Sequence, residues 1–411
     1  MANDEAASPT PSVSSRAFWS QTPVERASTF AELRRSAPVS LQAPPDFGGV
    51  RPERGFWAVT RHAEVVQVSR NAETFCSGQG VGLGNVPIDL LELNASFLVM
   101  DAPRHTALRR VVSGAFTPKR VAQLEERIQA EAGRIVDDFV DSGGGDVVDD
   151  LAGKLPLWTI CEMMGVPDSM RGDLYSAAET QITGQDPDVA DPEAVVKAAM
   201  TMHDLAADLV EARRASPGDD ILSTLVHSRV DGQPLSDRLL GGIFALFSTA
   251  GNDTTRSTTA HAMKLFADNP AQWTLLAGDR TLIGTAVEEM VRCATPVIHF
   301  RRTATTDTTL GNVPIAAGDA VVMFYESANR DETVFSAPER FDIARNPNPH
   351  VGFGGGGPHF CLGASLARAQ LRALFSRLSE RVSTIEVGNP SYVVSNFVNS
   401  MKRMSVSVVA R

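Results

Sequence analysis

The sequence predicts a mainly α protein with a minor β-sheet region, folded as a single globule around one long central helix. Three observations carry this. Apolar residues recur at helical spacing through most of the chain after residue 104. One such segment, Ser236 to Asn269, is longer than the usual globular helix and apolar around Ile243, Phe244, Leu246 and Phe247, as a helix crossing a whole core would be. Strand-like runs are short and confined to the first hundred residues and to 308–325.

Taken in order, Met1 to Ser15 is rich in Ala, Ser, Thr and Pro and lacks a positively charged start before an apolar core. It reads as a tail rather than a signal peptide, giving a division into a disordered stretch, 1–16, and one domain, 17–411. Gly55 to Thr60 alternates as a strand should. The stretch from Val81 to Val99 holds Val81, Leu83, Val86, Ile88, Leu90, Leu91, Leu93, Phe97 and Leu98, too apolar for a solvent loop, and is expected to line or cover a pocket. Helices are expected over Thr117–Ser142, Pro167–Thr183, Asp191–Ser216, Ser236–Asn269 and Thr281–Cys293, with turns at Gly143-Gly144-Gly145 and Asp186-Pro187-Asp188. Strands are expected over Thr308–Pro314 and Ala320–Tyr325, and a last helix over Cys361–Arg381.

Composition narrows the function. With 43% hydrophobic and 21% charged residues the 411-residue chain is an ordinary globular protein. A net charge of −11, without a basic run interleaved with aromatics, argues against nucleic acid. Cys76, Cys161, Cys293 and Cys361 stand far apart with no Cys-x-x-Cys spacing, which disfavours disulfides and zinc and fits a reducing cytoplasm. No apolar run approaches the roughly 18 residues of a membrane span.

Four segments carry chemistry. Phe353-Gly354-Gly355-Gly356-Gly357-Pro358-His359-Phe360-Cys361-Leu362-Gly363 delivers one cysteine through a glycine loop to the first turn of a helix, whose free N–H groups and dipole favour a thiolate. The glycines are expected to let backbone approach a flat ligand. The bland reading is a loop before a buried cysteine, and a phosphate loop is disfavoured by the missing Lys-Ser/Thr ending. Ala250-Gly251-Asn252-Asp253-Thr254-Thr255 places small residues, an acid and a hydroxyl inside the long helix; alone it is an ordinary polar patch. Glu289 and Arg292 form an i,i+3 pair, followed by Pro338-Glu339-Arg340-Phe341. His105 and Arg109, four apart on one helical face, suit a carboxylate clamp.

Together these segments, in this order, resemble the cytochrome P450 family. The glycine-rich segment is similar to the family's haem-binding signature, with one departure: the usual aromatic position is Gly354 here, and Phe353 stands one residue earlier, as in a bacterial subset. The resemblance implies haem b (iron protoporphyrin IX) with Cys361 as axial iron ligand. It implies propionate contacts from His105, Arg109, Arg302 and His359, with Arg301 a competitor for Arg302. Thr254 and Asp253 would be the catalytic proton-handling pair, and Glu289, Arg292 and Arg340 a buried structural triad.

The implied activity is monooxygenation of an apolar small molecule with O2. Since no flavin or iron–sulfur segment is present, electrons are expected from a ferredoxin with its NAD(P)H-dependent ferredoxin reductase, docked by Arg109, Arg110, Lys119 and Arg368. Ile243, Phe244, Phe247, Val297, Ile298, Phe397 and Val398 are candidate pocket residues; His299 is the sort of lone histidine that is more often structural. Members that hydroxylate the end of methyl-branched fatty acids, isoprenoid lipids or the sterol side chain are the most similar, implying a lipid substrate and terminal hydroxylation. An H2O2-dependent peroxygenase is disfavoured by Asp253-Thr254, and a non-catalytic haem sensor needs neither that pair nor an apolar lid.

Overall fold

The computed structural model describes residues 10–46, 54–84, 97–114, 118–184, 186 and 192–411. The helices that matter here are α1 (Pro23–Ser36), α2 (His62–Arg70), α3 (Arg104–Gly114), α4 (Pro118–Asp141), α5 (Lys154–Met164), α6 (Asp168–Thr183), α7 (Pro192–Ala215), α8 (Asp237–Asp268), α9 (Ile283–Ala294) and α10 (Ala364–Arg381). Strands β1 (Val39–Gln42), β2 (Phe56–Val59), β3 (Phe75–Cys76), β5 (His299–Ala304) and β6 (Ala320–Phe324) form one sheet in the order β1-β2-β6-β5-β3. Between β3 and β5 in sequence lies β4 (Gly144–Asp146), which joins β7 (Val382–Val387) and β8 (Ser405–Ala410) in a second sheet.

Helix α8 runs 32 residues, about 48 Å at 1.5 Å per residue. Ser236 caps it by accepting from the Leu239 N–H, and Pro270 follows its end at Asn269. Around Asn252 to Met263 it is buried on nearly every side, yet carries many hydroxyls. Ser248, Thr249, Thr254, Thr258 and Thr259 each donate to the carbonyl four residues back, so these hydroxyls are satisfied within the helix.

Several expectations shift. Thr308–Pro314 is a hairpin of two strands, Thr308–Leu310 and Val313–Ile315, turning at Gly311 and Asn312, both with positive φ. The expected turn at Gly143–Gly145 contains β4, and Gly144, at φ +117°, needs its missing side chain because a Cβ would sit 2.0 Å from the Val406 carbonyl oxygen. Helix α10 begins at Ala364, so Cys361 precedes its N-cap, Gly363, instead of lying in the first turn. Packing reaches back to Val13, fully buried, with its carbonyl accepting from Trp19 Nε1; the stretch expected to be a tail is therefore engaged at its end.

Glu289 and Arg292 are fully buried and paired at 2.7 Å. The third arginine is Arg345, not Arg340: Arg345 Nε reaches both Glu289 oxygens at 3.1 and 3.2 Å. Arg340 turns its side chain to solvent and offers only its carbonyl, which accepts from Arg292 and Arg345. Arg345→Ala removes one of the two arginines on the buried Glu289 carboxylate, which keeps Arg292, and should cost about 1.5–3 kcal/mol, whereas Arg340→Ala stays within about 0.5 kcal/mol; denaturant unfolding of both variants checks the contrast.

His261 and His299 are buried, donating from Nε2 to the Asn399 carbonyl and from Nδ1 to the Asn396 carbonyl. Burial pushes each down to about 4, only partly offset by those bonds. The unfolded chain therefore takes up these protons first, so their contribution to stability is complete above about pH 6.5 and is lost as pH falls from there toward 4. Acid unfolding should steepen in that window, and His261→Gln should flatten it.

Candidate active site

The segment carrying Cys361 is held by backbone contacts at both ends. The Cys361 N–H donates to the Phe353 carbonyl at 3.0 Å, and Gly354, at φ +97°, lets its N–H return to the Val351 carbonyl. Phe353, one residue earlier than the usual aromatic, keeps its place: the Arg368 guanidinium lies 4.3 Å above its ring. Arg368 also grips Glu288 through two bonds of 2.6 and 2.7 Å. Burial alone would push Glu288 up, but bonds from Arg368 and His350 hold it at about 2.

The glycines answer to a helix more than to a flat ligand. A Cβ on Gly355 would lie 2.9 Å from Ser69 Cβ, on Gly356 2.9 Å from Arg70 Nε, and on Gly357 2.4 Å from the Ser69 carbonyl oxygen. These three let the loop lie flat on α2. Only Gly354 and Gly363, with nothing closer than 3.9 Å, face the cavity.

Cys361 is exposed, but to an interior cavity rather than to bulk water. Burial raises its thiol; a hydrogen bond from the Gly363 N–H and the charges of Arg109 and Arg368 pull the other way. The sulfur is thus a neutral thiol poised for a cation, and a bound metal would deprotonate it outright.

Beside it lies a cluster of bases. His105 and His359 stack at 4.1 Å between ring centroids, and Ser77 Oγ is 3.1 Å from His359 Nε2. Burial, then Arg302, His105 and Arg109, push His359 down to about 3; burial and Arg109 lower His105. Arg109 donates to the Phe360 carbonyl. Arg302, 3% exposed, donates to the Arg301 carbonyl, and among the described residues neither it nor Arg109 has a carboxylate partner. His105 Nε2 is buried without a partner there as well. Strand alternation sorts Arg301 from Arg302: Phe300 lines the cavity, so Arg302, two residues on, shares its side and Arg301 does not.

The opposite wall is α8. Ala250, Gly251, Thr254, Thr255 and Thr258 line the cavity; Asp253 does not. Successive helical residues differ by about 100°, and Asp253 points away, accepting from Arg256 at 2.9 Å and from Ser400 Oγ at 2.9 Å, with Ser257 Oγ 2.6 Å beyond. Arg256 also reaches Glu179 at 3.2 Å. The rest of the wall is apolar: Phe97, Leu98, Ile160, Met163, Leu246 and Phe247, with Val297 and Phe300 opposite.

Several expected lining residues lie elsewhere. Ile243, Phe244 and Ile298 are fully buried core, Leu83 packs against Phe18 and Phe30, and Val398 pairs with Val297. Phe397 meets the Phe300 ring edge-on, with centroids 5.4 Å apart. Val86, Ile88, Leu90, Leu91 and Leu93 lie outside the described residues.

Comparison with known proteins now decides the family. The Cytochrome P450 family model matches residues 278–385. Steroid C26-monooxygenase of Mycolicibacterium smegmatis is 39% identical across 93% of this chain and 90% of its own. The methyl-branched lipid omega-hydroxylase of Mycobacterium bovis is 39% identical across 95% and 92%. The chain is a cytochrome P450. The P450 of Mycobacterium marinum solved with pseudoionone superposes with a TM-score of 0.94 at 48% identity, covering 97% of this chain and 98% of that one. The protein is therefore a haem b-dependent monooxygenase.

The residues present fit that group. A P450 haem brings an iron that wants a thiolate and two propionates that want donors; the cavity wall carries the Cys361 sulfur, Arg109 and His359, His105 Nε2 is buried without a partner beside His359, and among the described residues Arg109 and Arg302 have only carbonyl partners. Sequence reasoning missed Arg345, Ser400 and the Arg256 partner of Asp253. Only Arg256 had a local signal, its i,i+3 spacing from Asp253. Gly357→Ala, against backbone and at φ +80°, should lower the melting temperature by several degrees, while Gly363→Ala should move it little; calorimetry distinguishes them.

Proposed function

We propose that this P450 hydroxylates a long apolar lipid (a methyl-branched fatty acid, an isoprenoid or a sterol side chain) at its terminal carbon. The observation that carries it is the cavity: Phe97, Leu98, Ile160, Met163, Leu246 and Phe247 line it together with Thr254 and Cys361. An apolar lining that reaches the cysteine favours an apolar chain end there. The names of the two relatives above, both acting on such substrates, support the same class.

When bound, haem supplies the activation of O2 and the insertion of one oxygen atom into the C–H bond. Cys361 Sγ would hold the iron. Arg109, Arg302, His105 and His359 would take the two propionates, which would give the two guanidinium groups the carboxylate partners they lack among the described residues. Thr254 gives its own proton to the Ala250 carbonyl and leaves its lone pairs toward the cavity, where Oγ1 accepts and orients a proton-bearing group. Asp253, held behind the helix by Arg256 and Ser400, helps conduct protons toward that hydroxyl. The apolar wall excludes water from the reacting carbon.

A ferredoxin, reduced by an NAD(P)H-dependent reductase in the cytoplasm, supplies electrons. Among the described basic residues expected to dock it, Arg109 and Arg368 are engaged inside the protein and Arg110 is exposed; the Lys119 side chain lies outside the described residues. Among the described residues no helix is long and apolar enough to cross a membrane.

Two measurements test this. The reduced, CO-bound protein should show the long-wavelength Soret band of thiolate ligation, and Cys361→Ala should abolish it. Branched fatty acids or sterols should shift the haem absorption band and yield terminal alcohols with a ferredoxin pair, with reduction slowed by Arg110→Glu and by salt. A silent band across these lipids counts against the substrate class.

A further inference from the structure

A second cavity lies among α6, α7 and α8, lined by Gln181, Met202, His203, Gly242, Leu246 and Thr249. Leu246 lines this cavity and the cysteine cavity alike. Between the two, α8 shows an accessible stripe at helical spacing: Ala245 and Leu246, then Thr249 and Ala250, then Thr254, while Ile243, Phe244, Phe247, Ser248, Asn252 and Asp253 are buried. These residues follow α8 from one cavity to the other, with Leu246 common to both. From Gly242 to Thr254 the helix spans twelve residues, about 18 Å.

The far end carries polar groups. The His203 ring lies against α8 where Gly241 has no side chain; a Cβ there would be 3.1 Å from Nδ1. Two adjacent glycines, Gly241 and Gly242, each cost a helix interior about 1 kcal/mol relative to Ala, and here they make room for this ring and this cavity. Among the described residues His203 has no hydrogen-bond partner. Gln181 gives one amide N–H to the Val195 carbonyl at 2.6 Å and keeps the other. Val196, 59% exposed, shares the α7 face of His203 at i,i+7, and Met200, 62% exposed, adjoins it, an apolar rim such as a lipid tail would cross on entering.

We propose that His203, with Gln181, binds the carboxylate of a long-chain fatty acid, whose chain passes Leu246 along α8 and presents its far end at Thr254. This rests on the lipid reading above and adds a ruler to it: a head fixed about 18 Å from the reacting wall selects the terminal carbon.

Purified holoenzyme, wild type and His203→Ala, is titrated with a methyl-branched long-chain fatty acid and with the same branched skeleton lacking the carboxyl group, following the haem absorption band. The acid should bind His203→Ala about tenfold or more weaker, the hydrocarbon unchanged, and His203→Gln should recover part of the loss. Unchanged acid affinity, or equal weakening of both ligands, overturns the proposal while leaving the lipid reading intact. A wild-type enzyme that shifts with neither ligand overturns the branched fatty-acid form of the lipid reading, and the head-group site with it.

Discussion

A cysteine sulfur has to sit on the wall of an apolar cavity and still be able to bind a metal cation, and most of the architecture answers to that demand. Burial alone drives Cys361 toward the neutral thiol. Against it stand one backbone N–H from Gly363 and the charges of Arg109 and Arg368, each fixed by a second contact: Arg109 on the Phe360 carbonyl, Arg368 between Glu288 and the Phe353 ring. His350 extends that chain. Gly352 N–H donates to its Nδ1, so Nε2 carries the proton and donates to Glu288.

The same demand explains the glycine run. A loop that must return its cysteine under a cavity needs a rigid floor, and α2 supplies it through close approach of Gly355, Gly356 and Gly357. The Glu289–Arg292–Arg345 network then fixes the segment 336–348 that leads into the loop, because Arg345 also binds the Ser336 and Ala337 carbonyls and Asn348 binds Glu289. Desolvated charges seldom add net stability, but each has partners enough here to hold one geometry.

Charge separates the two faces of α8. Thr254 looks into the apolar cavity, while Asp253, Arg256 and Glu179 form a paired group behind it beside Ser257 and Ser400. A carboxylate placed in the cavity would oppose apolar substrate binding; behind the helix it is paired and remains one residue from the Thr254 hydroxyl.

By itself, the sequence determined whatever depends on local order. The bounds of α8 follow from its cap at Ser236, its apolar period and Pro270, and Cys361 is marked by the glycine run and its neighbours. The order of the four motifs named the family. Tertiary structure decided what depends on distance through space: Arg345 instead of Arg340 on Glu289, because the turn at 338–341 sends the nearer side chain to solvent; Asp253 behind the helix, because its partner Ser400 lies 147 residues away. Likewise, Arg301 and Arg302 are put on opposite faces only by strand β5, where Arg302 shares the face of the cavity-lining Phe300, for neighbours in a strand differ in nothing but the face they are given.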